Sequence, residues 1–175
     1  MECRLRPWKI EDAADLAAAI NNKNIQDNLR DGMHLPYREE DARDFIRGML
    51  AADANTTYAF AITLDDRMVG SIGVFRKENI HRYTAEMGYY VAQSYWGRGI
   101  GASAVKQMCR YIFENTDILR IFAEPFSYNT ASCRILEKNG FLLEGVLRSN
   151  AVKNGAVVDM KLYSLLKQDW QGLGV

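Results

Sequence analysis

Three glycines alternate at Gly97, Gly99 and Gly101, inside Tyr95-Trp96-Gly97-Arg98-Gly99-Ile100-Gly101. They lead into a run with Ile100, Ala104, Met108, Ile112 and Phe113 at helical spacing. A helix starting there presents N–H groups that have no partner within the helix, together with a partial positive charge. Glycine lets an anion approach that backbone because no Cβ intervenes. The chemistry this predicts is the capture of a phosphate, and a pyrophosphate-bearing cofactor suits it. A tight turn needing only positive φ is the simpler reading, but it would use fewer glycines. A P-loop is excluded, because no lysine stands where G-x-x-x-x-G-K-[ST] requires one. The dinucleotide fingerprint G-x-G-x-x-[GA] is met by Gly97, Gly99 and Ala102, with Glu124 roughly where a ribose-binding acid belongs. Against it, the strand before the glycines is polar and aromatic, and the rest of the chain offers a hairpin instead of further βαβ units.

The elements that must position this turn follow from periodicity. Cys3 to Trp8 alternates as a strand, and Glu11-Asp12 open a helix that Asn21-Asn22 end. Lys23 to Pro36 is polar and irregular, and long structureless connections are usually lids or binding loops. A second helix runs from Arg38 to about Leu50, with Ala42, Phe45, Ile46 and Met49 on one face. Thr57 to Leu64 and Met68 to Phe75 form a hairpin through Asp65-Asp66-Arg67, and Thr84 to Val91 is the next strand. Beyond the glycine-led helix come a strand from Leu119 to Phe126, a helix from Thr130 to Asn139 ended by Gly140, and a strand from Phe141 to Arg148. Lys153-Asn154-Gly155 turns the chain into a last strand, Ala156 to Leu166. The order is strand, two helices, three strands, helix, strand, helix, two strands, which predicts a mixed sheet flanked by helices.

Composition narrows the function classes. Lys plus Arg and Asp plus Glu both number 22, so no global field exists to hold nucleic acid or an anionic membrane surface. Neither nucleic acid nor membrane is an expected partner. Cys3, Cys109 and Cys133 are odd in number and lack a C-x-x-C pair, which suits reduced thiols in the cytoplasm and argues against a disulfide framework or a metal site. The N-terminus shows no apolar targeting segment, and no run of about 18 apolar residues occurs.

The chain resembles the GNAT superfamily of N-acetyltransferases, in particular the branch that contains the ribosomal-protein N-terminal alanine acetyltransferases. Tyr95 to Gly101 is similar to the family's pyrophosphate loop, with Trp96 as this branch commonly has it. Asn129-Thr130-Ala131-Ser132 followed by Leu136-Glu137-Lys138-Asn139-Gly140-Phe141 is similar to the branch's N-x-x-S…K-x-G-F signature. Weaker agreement comes from Leu5-Arg6-Pro7, Glu144-Gly145 and Tyr163-Ser164-Leu165-Leu166. The resemblance covers nearly the whole chain. It implies a single α/β (α+β) domain over residues 1–175, with a mixed, mostly antiparallel seven-stranded sheet splayed at its centre and about four flanking helices. It implies acetyl-CoA as cosubstrate and no metal, with the pyrophosphate on backbone N–H groups of Arg98, Gly99, Ile100, Gly101 and Ala102, and Trp96 and Gly97 beside them in the cofactor site. Pantetheine would lie along Tyr89, Tyr90 and Val91, and Asn129 and Ser132 would complete the cofactor site. A homodimer is an assembly the resemblance allows.

Direct acetyl transfer needs a neutral amine, a stabilised oxyanion and a donor for the departing thiolate. On the strand that would border the thioester, alternation through Ala85-Glu86-Met87 puts forward Glu86 as base, its pKa raised by partial burial. A solvated glutamate, or one paired with Arg82, is the competing reading. His81 is a second candidate base, or else a surface histidine. Relatives often carry a glutamate aligning near Ala151, so that base is not carried over, and Leu136 stands where other GNAT members have a tyrosine acid. Ser132 is then the residue that could donate to the leaving sulfur, unless it and Asn129 merely cap a helix. A backbone N–H near Val91 would serve the oxyanion. The expected activity is acetyl transfer to a primary amine in a ternary complex, the acceptor being a protein N-terminal alanine or a small amine, amino acid or antibiotic. The segments Asn24 to Tyr37, Phe75 to Tyr83 and Asn150 to Gly155 would shape its pocket. The alternatives are a non-catalytic acetyl-CoA-binding domain and a dinucleotide-binding oxidoreductase.

Overall fold

The computed structural model describes residues 2–172. Seven strands form one sheet in the order β1-β2-β3-β4-β5-β7-β6. They are β1 (Arg4–Arg6), β2 (Thr57–Leu64), β3 (Arg67–Arg76), β4 (Thr84–Val91), β5 (Arg120–Ala123), β6 (Leu142–Lys153) and β7 (Ala156–Leu166). The helices are α1 (Ala13–Ile20), α2 (Lys23–Gln26), α3 (Glu39–Ala51), α4 (Ile100–Asn115), α5 (Thr130–Lys138) and α6 (Lys167–Gly172). Every strand pairing is antiparallel except β4 with β5. A doubly wound parallel sheet does not form, which removes the oxidoreductase reading. Among the described residues no helix is long and apolar enough to cross a membrane.

Among the described residues six helices stand where about four are expected. Both additions are short: α2 lies inside the segment read as an irregular loop, capped by Asn22 accepting from Asn24 N–H at 2.9 Å, and α6 follows the last strand. The two hairpins turn through two-residue loops with positive φ throughout, Asp65 and Asp66 at 49° and 66°, and Asn154 and Gly155 at 50° and 76°. Such turns match the right-handed twist of the strands they join.

Strand alternation distributes the core between two faces. Ala61 and Met68 turn to α1 and α3, where they pack with Trp8, Leu16 and Ile46. Ile62, Ile72, Ala85 and Met87 turn to α4, whose Ile100, Val105, Met108, Ile112 and Phe113 are buried. Each of the buried Ile, Leu, Val, Met and Phe side chains contributes about 1.5–3 kcal/mol over its exposed state. The same alternation sends Tyr89 to the α4 face and Tyr90 to the α1–α3 face.

The sheet opens at its centre. β4 and β5 pair only through Thr84↔Arg120, Ala85↔Ile121 and Glu86↔Phe122. Beyond Glu86, β4 stays with β3 as far as Val91. Beyond Ala123, the chain instead follows β7, with Lys161 N–H donating to Pro125 O and Ser127 N–H to Asp159 O, both at 2.9 Å. The strand expected to reach Phe126 therefore ends at Ala123, and only an isolated bridge, Phe126↔Met160, continues it.

Candidate active site

The opening between β4 and β5 is continued by cavities on either side. One, of about 760 Å³, runs from the glycine turn along the start of α5. The other, of about 640 Å³, lies against Met33, Phe45, Met49, Phe75 and Glu86. Asn28, Leu29, Tyr89, Tyr90, Asn129 and Ser132 line both. These six residues mark where the two spaces meet.

One end of the first cavity is shaped by backbone. Gly97 and Gly99 adopt φ of 75° and 77°, left-handed values that a β-branched residue avoids, and a Cβ at either would point into open space. Gly99 is the N-cap of α4, which has no side-chain cap and no acid in its first turn. The first helical bond is Ser103 N–H to Gly99 O, so the N–H groups of Gly99, Ile100, Gly101 and Ala102 have no helical acceptor. Ile100 contributes only that backbone, its side chain being in the core. Gly101 also serves packing: a Cβ there would lie 2.9 Å from Ile135 Cδ1 on α5. Trp96 pins the turn to the strand by donating from Nε1 to Val91 O at 2.6 Å, and Arg98 lies over the Tyr95 ring at 5.4 Å. The arrangement fits a pyrophosphate.

The edge of β4 is free at the same place. Ala92 N–H donates to Val69 O at 2.8 Å and Lys77 N–H to Thr84 O at 2.9 Å, so even-numbered residues of β4 turn their peptide groups to β3. The odd-numbered residues turn theirs the other way, and β5 is already gone beyond Glu86. The N–H groups of Tyr89 and Val91 thus face the opening.

Across it, Asn129 caps α5 by accepting Ser132 N–H on Oδ1 at 3.1 Å. Gly140 closes the other end, with Phe141 N–H to Leu136 O at 3.1 Å and Gly140 N–H to Glu137 O at 3.0 Å. Ser132 Oγ lies 2.8 Å from the Tyr89 hydroxyl. Burial drives the Tyr89 pKa far above its ordinary value, so the phenol stays protonated. Sequence reasoning treated Tyr89 only as part of the cofactor's path, although alternation already turns it away from Glu86.

Glu86 faces the second cavity from β4. It is ion-paired to Arg30 and, at 2.8 Å, to Lys77, while Arg30 also lies 3.7 Å from Glu124. Burial pushes the carboxyl up, but the bonds and charges of Lys77 and Arg30 outweigh it and leave the pKa lowered. The expected rise is thus corrected, and the partner is not Arg82, which lies over the Tyr83 ring at 4.9 Å. His81 is exposed and lines none of the three cavities described.

Arg30 belongs to a segment held down along its length, and no motif in the sequence marked it. Tyr128, stacked on Phe126, donates to Asp27 O; Asn154 Nδ2 donates to Asp27 Oδ1 at 2.9 Å; Lys153 Nζ reaches Asp31 at 2.5 Å. A third space, about 440 Å³, opens between this segment, Lys77 and the β6–β7 turn, with Ala151 on its wall. Among the described residues, no group of three or more His, Cys, Asp and Glu side chains could hold a metal ion.

Residues 3–142 match the family model described as the acetyltransferase (GNAT) domain. YdaF of Bacillus subtilis (strain 168), named as a proposed ribosomal N-acetyltransferase, is 31% identical over 175 residues, covering 96% of this chain and 93% of that protein. The ribosomal-protein-serine acetyltransferase of Escherichia coli (strain K12) is 29% identical over 127 residues, 72% of this chain and 70% of that one. Among solved structures, Mycobacterium smegmatis RimJ in complex with CoA-disulfide superposes with a TM-score of 0.85 at 26% identity, over 94% of this chain and 82% of that chain.

Proposed function

Because the chain belongs to the GNAT acetyltransferase family, we propose that it moves the acetyl group of acetyl-CoA directly onto a primary amine, with a protein N-terminus as the favoured acceptor. The observation that carries this reading is the junction of the two cavities at Tyr89 and Ser132. A donor entering along the glycine turn and an acceptor entering past Glu86 would meet there, beside the free edge of β4 at Tyr89 and Val91.

In this reading the N–H groups of Gly99 to Ala102 hold the pyrophosphate, with Gly97, Arg98 and Trp96 shaping the turn. Tyr89, Tyr90 and Val91 flank the pantetheine arm, and Asn129 fixes Ser132 by capping α5. Bound acetyl-CoA supplies an activated acyl carbon. The N–H of Tyr89 or Val91 donates to the acyl oxygen as charge develops on it. Ser132 donates toward the sulfur.

Glu86 is a weak base while Arg30 and Lys77 hold it. That suits an α-amino acceptor, whose pKa near 8 leaves about a tenth neutral at pH 7, better than a lysine near 10.4. In place of proton abstraction, Glu86 presents negative charge to the incoming ammonium and anchors Arg30. The likeness to YdaF, named for ribosomal N-acetylation, and to the Escherichia coli ribosomal-protein-serine acetyltransferase favours a ribosomal-protein N-terminus over a small amine, amino acid or antibiotic. We place the enzyme in the cytoplasm, where its three buried thiols stay reduced.

The test is calorimetric titration with acetyl-CoA alongside thiol release over a panel of N-terminal peptides, polyamines and aminoglycosides. The reading expects binding, and release with peptides beginning in Ala or Ser. Response to small amines alone would replace the acceptor class, and binding without release to any acceptor would leave the non-catalytic alternative.

A further inference from the structure

The transfer reading leaves open what directs the Ser132 hydroxyl, and this inference rests on that reading. Tyr89 reaches from β4 across the opening to the first turn of α5, with its hydroxyl 2.8 Å from Ser132 Oγ and 3.3 Å from Ser132 O. A phenol that keeps its proton has one hydrogen to give, and the nearer oxygen is the better acceptor. If Ser132 Oγ accepts that hydrogen, its own hydrogen must point elsewhere. Its main-chain N–H is already committed to Asn129 Oδ1 at 3.1 Å, and the open direction is the junction of the two cavities, which Tyr89 and Ser132 both line.

We propose that Tyr89 is a positioning residue, holding the Ser132 hydroxyl as a hydrogen-bond donor aimed at the coenzyme A sulfur. As the amine attacks, the C–N bond forms and the C–S bond breaks. The nitrogen releases one proton to solvent, and the thiolate, held by Ser132 while it is charged, takes one proton from solvent. Neither hydroxyl is consumed. A donor that is itself hydrogen-bonded is polarised and gives the stronger bond.

The hydrogen bond stabilises the thiolate, so it lowers the pKa of the bound thiol. The experiment is an ultraviolet titration of coenzyme A bound to excess protein, following thiolate absorbance against pH, with affinity checked by calorimetry at each step. The wild-type midpoint is expected about one pH unit below that of Tyr89→Phe. Ser132→Ala should raise it by a similar amount, and the double variant should raise it no further than either single one. Fluorotyrosine at position 89, nearly isosteric and a stronger donor, should lower the midpoint further; it serves if Tyr89→Phe does not fold. An unchanged midpoint in Tyr89→Phe or with fluorotyrosine, or shifts that add in the double variant, would overturn the proposal. The readout needs no acceptor, so absence of transfer to any amine would sink the function proposed above and leave this test standing. Failure of coenzyme A to bind would sink both.

Discussion

The two cavities are bounded by different materials. The mouth of the donor cavity is backbone: among the described residues the first N–H groups of α4 have no side-chain cap, whereas α3 carries Glu39, Glu40 and Asp41 in its first turn, Asp41 accepting Arg38 N–H at 2.7 Å, and α5 is capped by Asn129. The wall of the acceptor cavity includes side chains from separate segments, Arg30, Glu86 and Glu124, held by charge, with Lys77 pairing Glu86 from outside it. Backbone groups at a helix start are set by secondary structure and change only when the turn does. Ion pairs near the surface are worth about 0–1 kcal/mol each and can be exchanged one at a time. On the function proposed above, the acceptor wall could therefore change by single substitutions that leave the donor turn intact.

Gly99→Val attacks the backbone side and should have the largest effect. A β-branched residue in the left-handed region is strained by about 1–3 kcal/mol, and its methyls would project into the space left for the anion. Coenzyme A affinity by calorimetry is expected to fall about tenfold or more. If the affinity stayed within a factor of two, the glycine turn would not be the pyrophosphate cradle.

Arg30→Ala attacks the side-chain side and should do less. Its side chain is 63% exposed and joins Glu86 and Glu124 to the segment that carries it. Hydrogen exchange in residues 27–31 should accelerate by at most about fivefold, the equivalent of ~1 kcal/mol, with coenzyme A affinity nearly unchanged. A loss of affinity as large as that of Gly99→Val would erase the distinction between the two walls.

The same division explains what could be read from sequence. The strand and helix order follows from period-2 and period-3.6 patterns, and the donor turn from three alternating glycines ahead of a helix; both are local signals. The splay is not local, since it arises because residues after Ala123 follow β7 while β4 follows β3. Glu86 was located by alternation, but its ionisation depends on Arg30, 56 positions away. Tyr89 and Ser132 are 43 positions apart and meet only once β4 and α5 face each other across the opening. Lys153 with Asp31 and Asn154 with Asp27 are likewise tertiary pairs that no spacing announces.

The smallest expected effect, the pH dependence of Glu86, bears directly on its chemistry. Its carboxyl titrates lower in the folded chain than the value near 4.3 of an unfolded glutamate, because Lys77 and Arg30 together outweigh burial. A group of this kind stabilises the fold above its unfolded pKa, and the contribution is lost as pH falls through its folded pKa. Wild type should therefore exceed Glu86→Gln in urea stability at pH 7 by a margin below ~1 kcal/mol. The margin should shrink toward zero as pH falls below the unfolded value near 4.3 and through the lower folded one. Comparing the two proteins at each pH cancels the titration of Asp27, which both retain. Were Glu86 instead raised by burial, as a general base would be, the sign would reverse: the variant would be the more stable at pH 7, and the wild type would gain on it as acid neutralised the carboxylate. A margin that moves toward wild type on acidification would restore Glu86 as the base; one that closes leaves it as the anchor of Arg30.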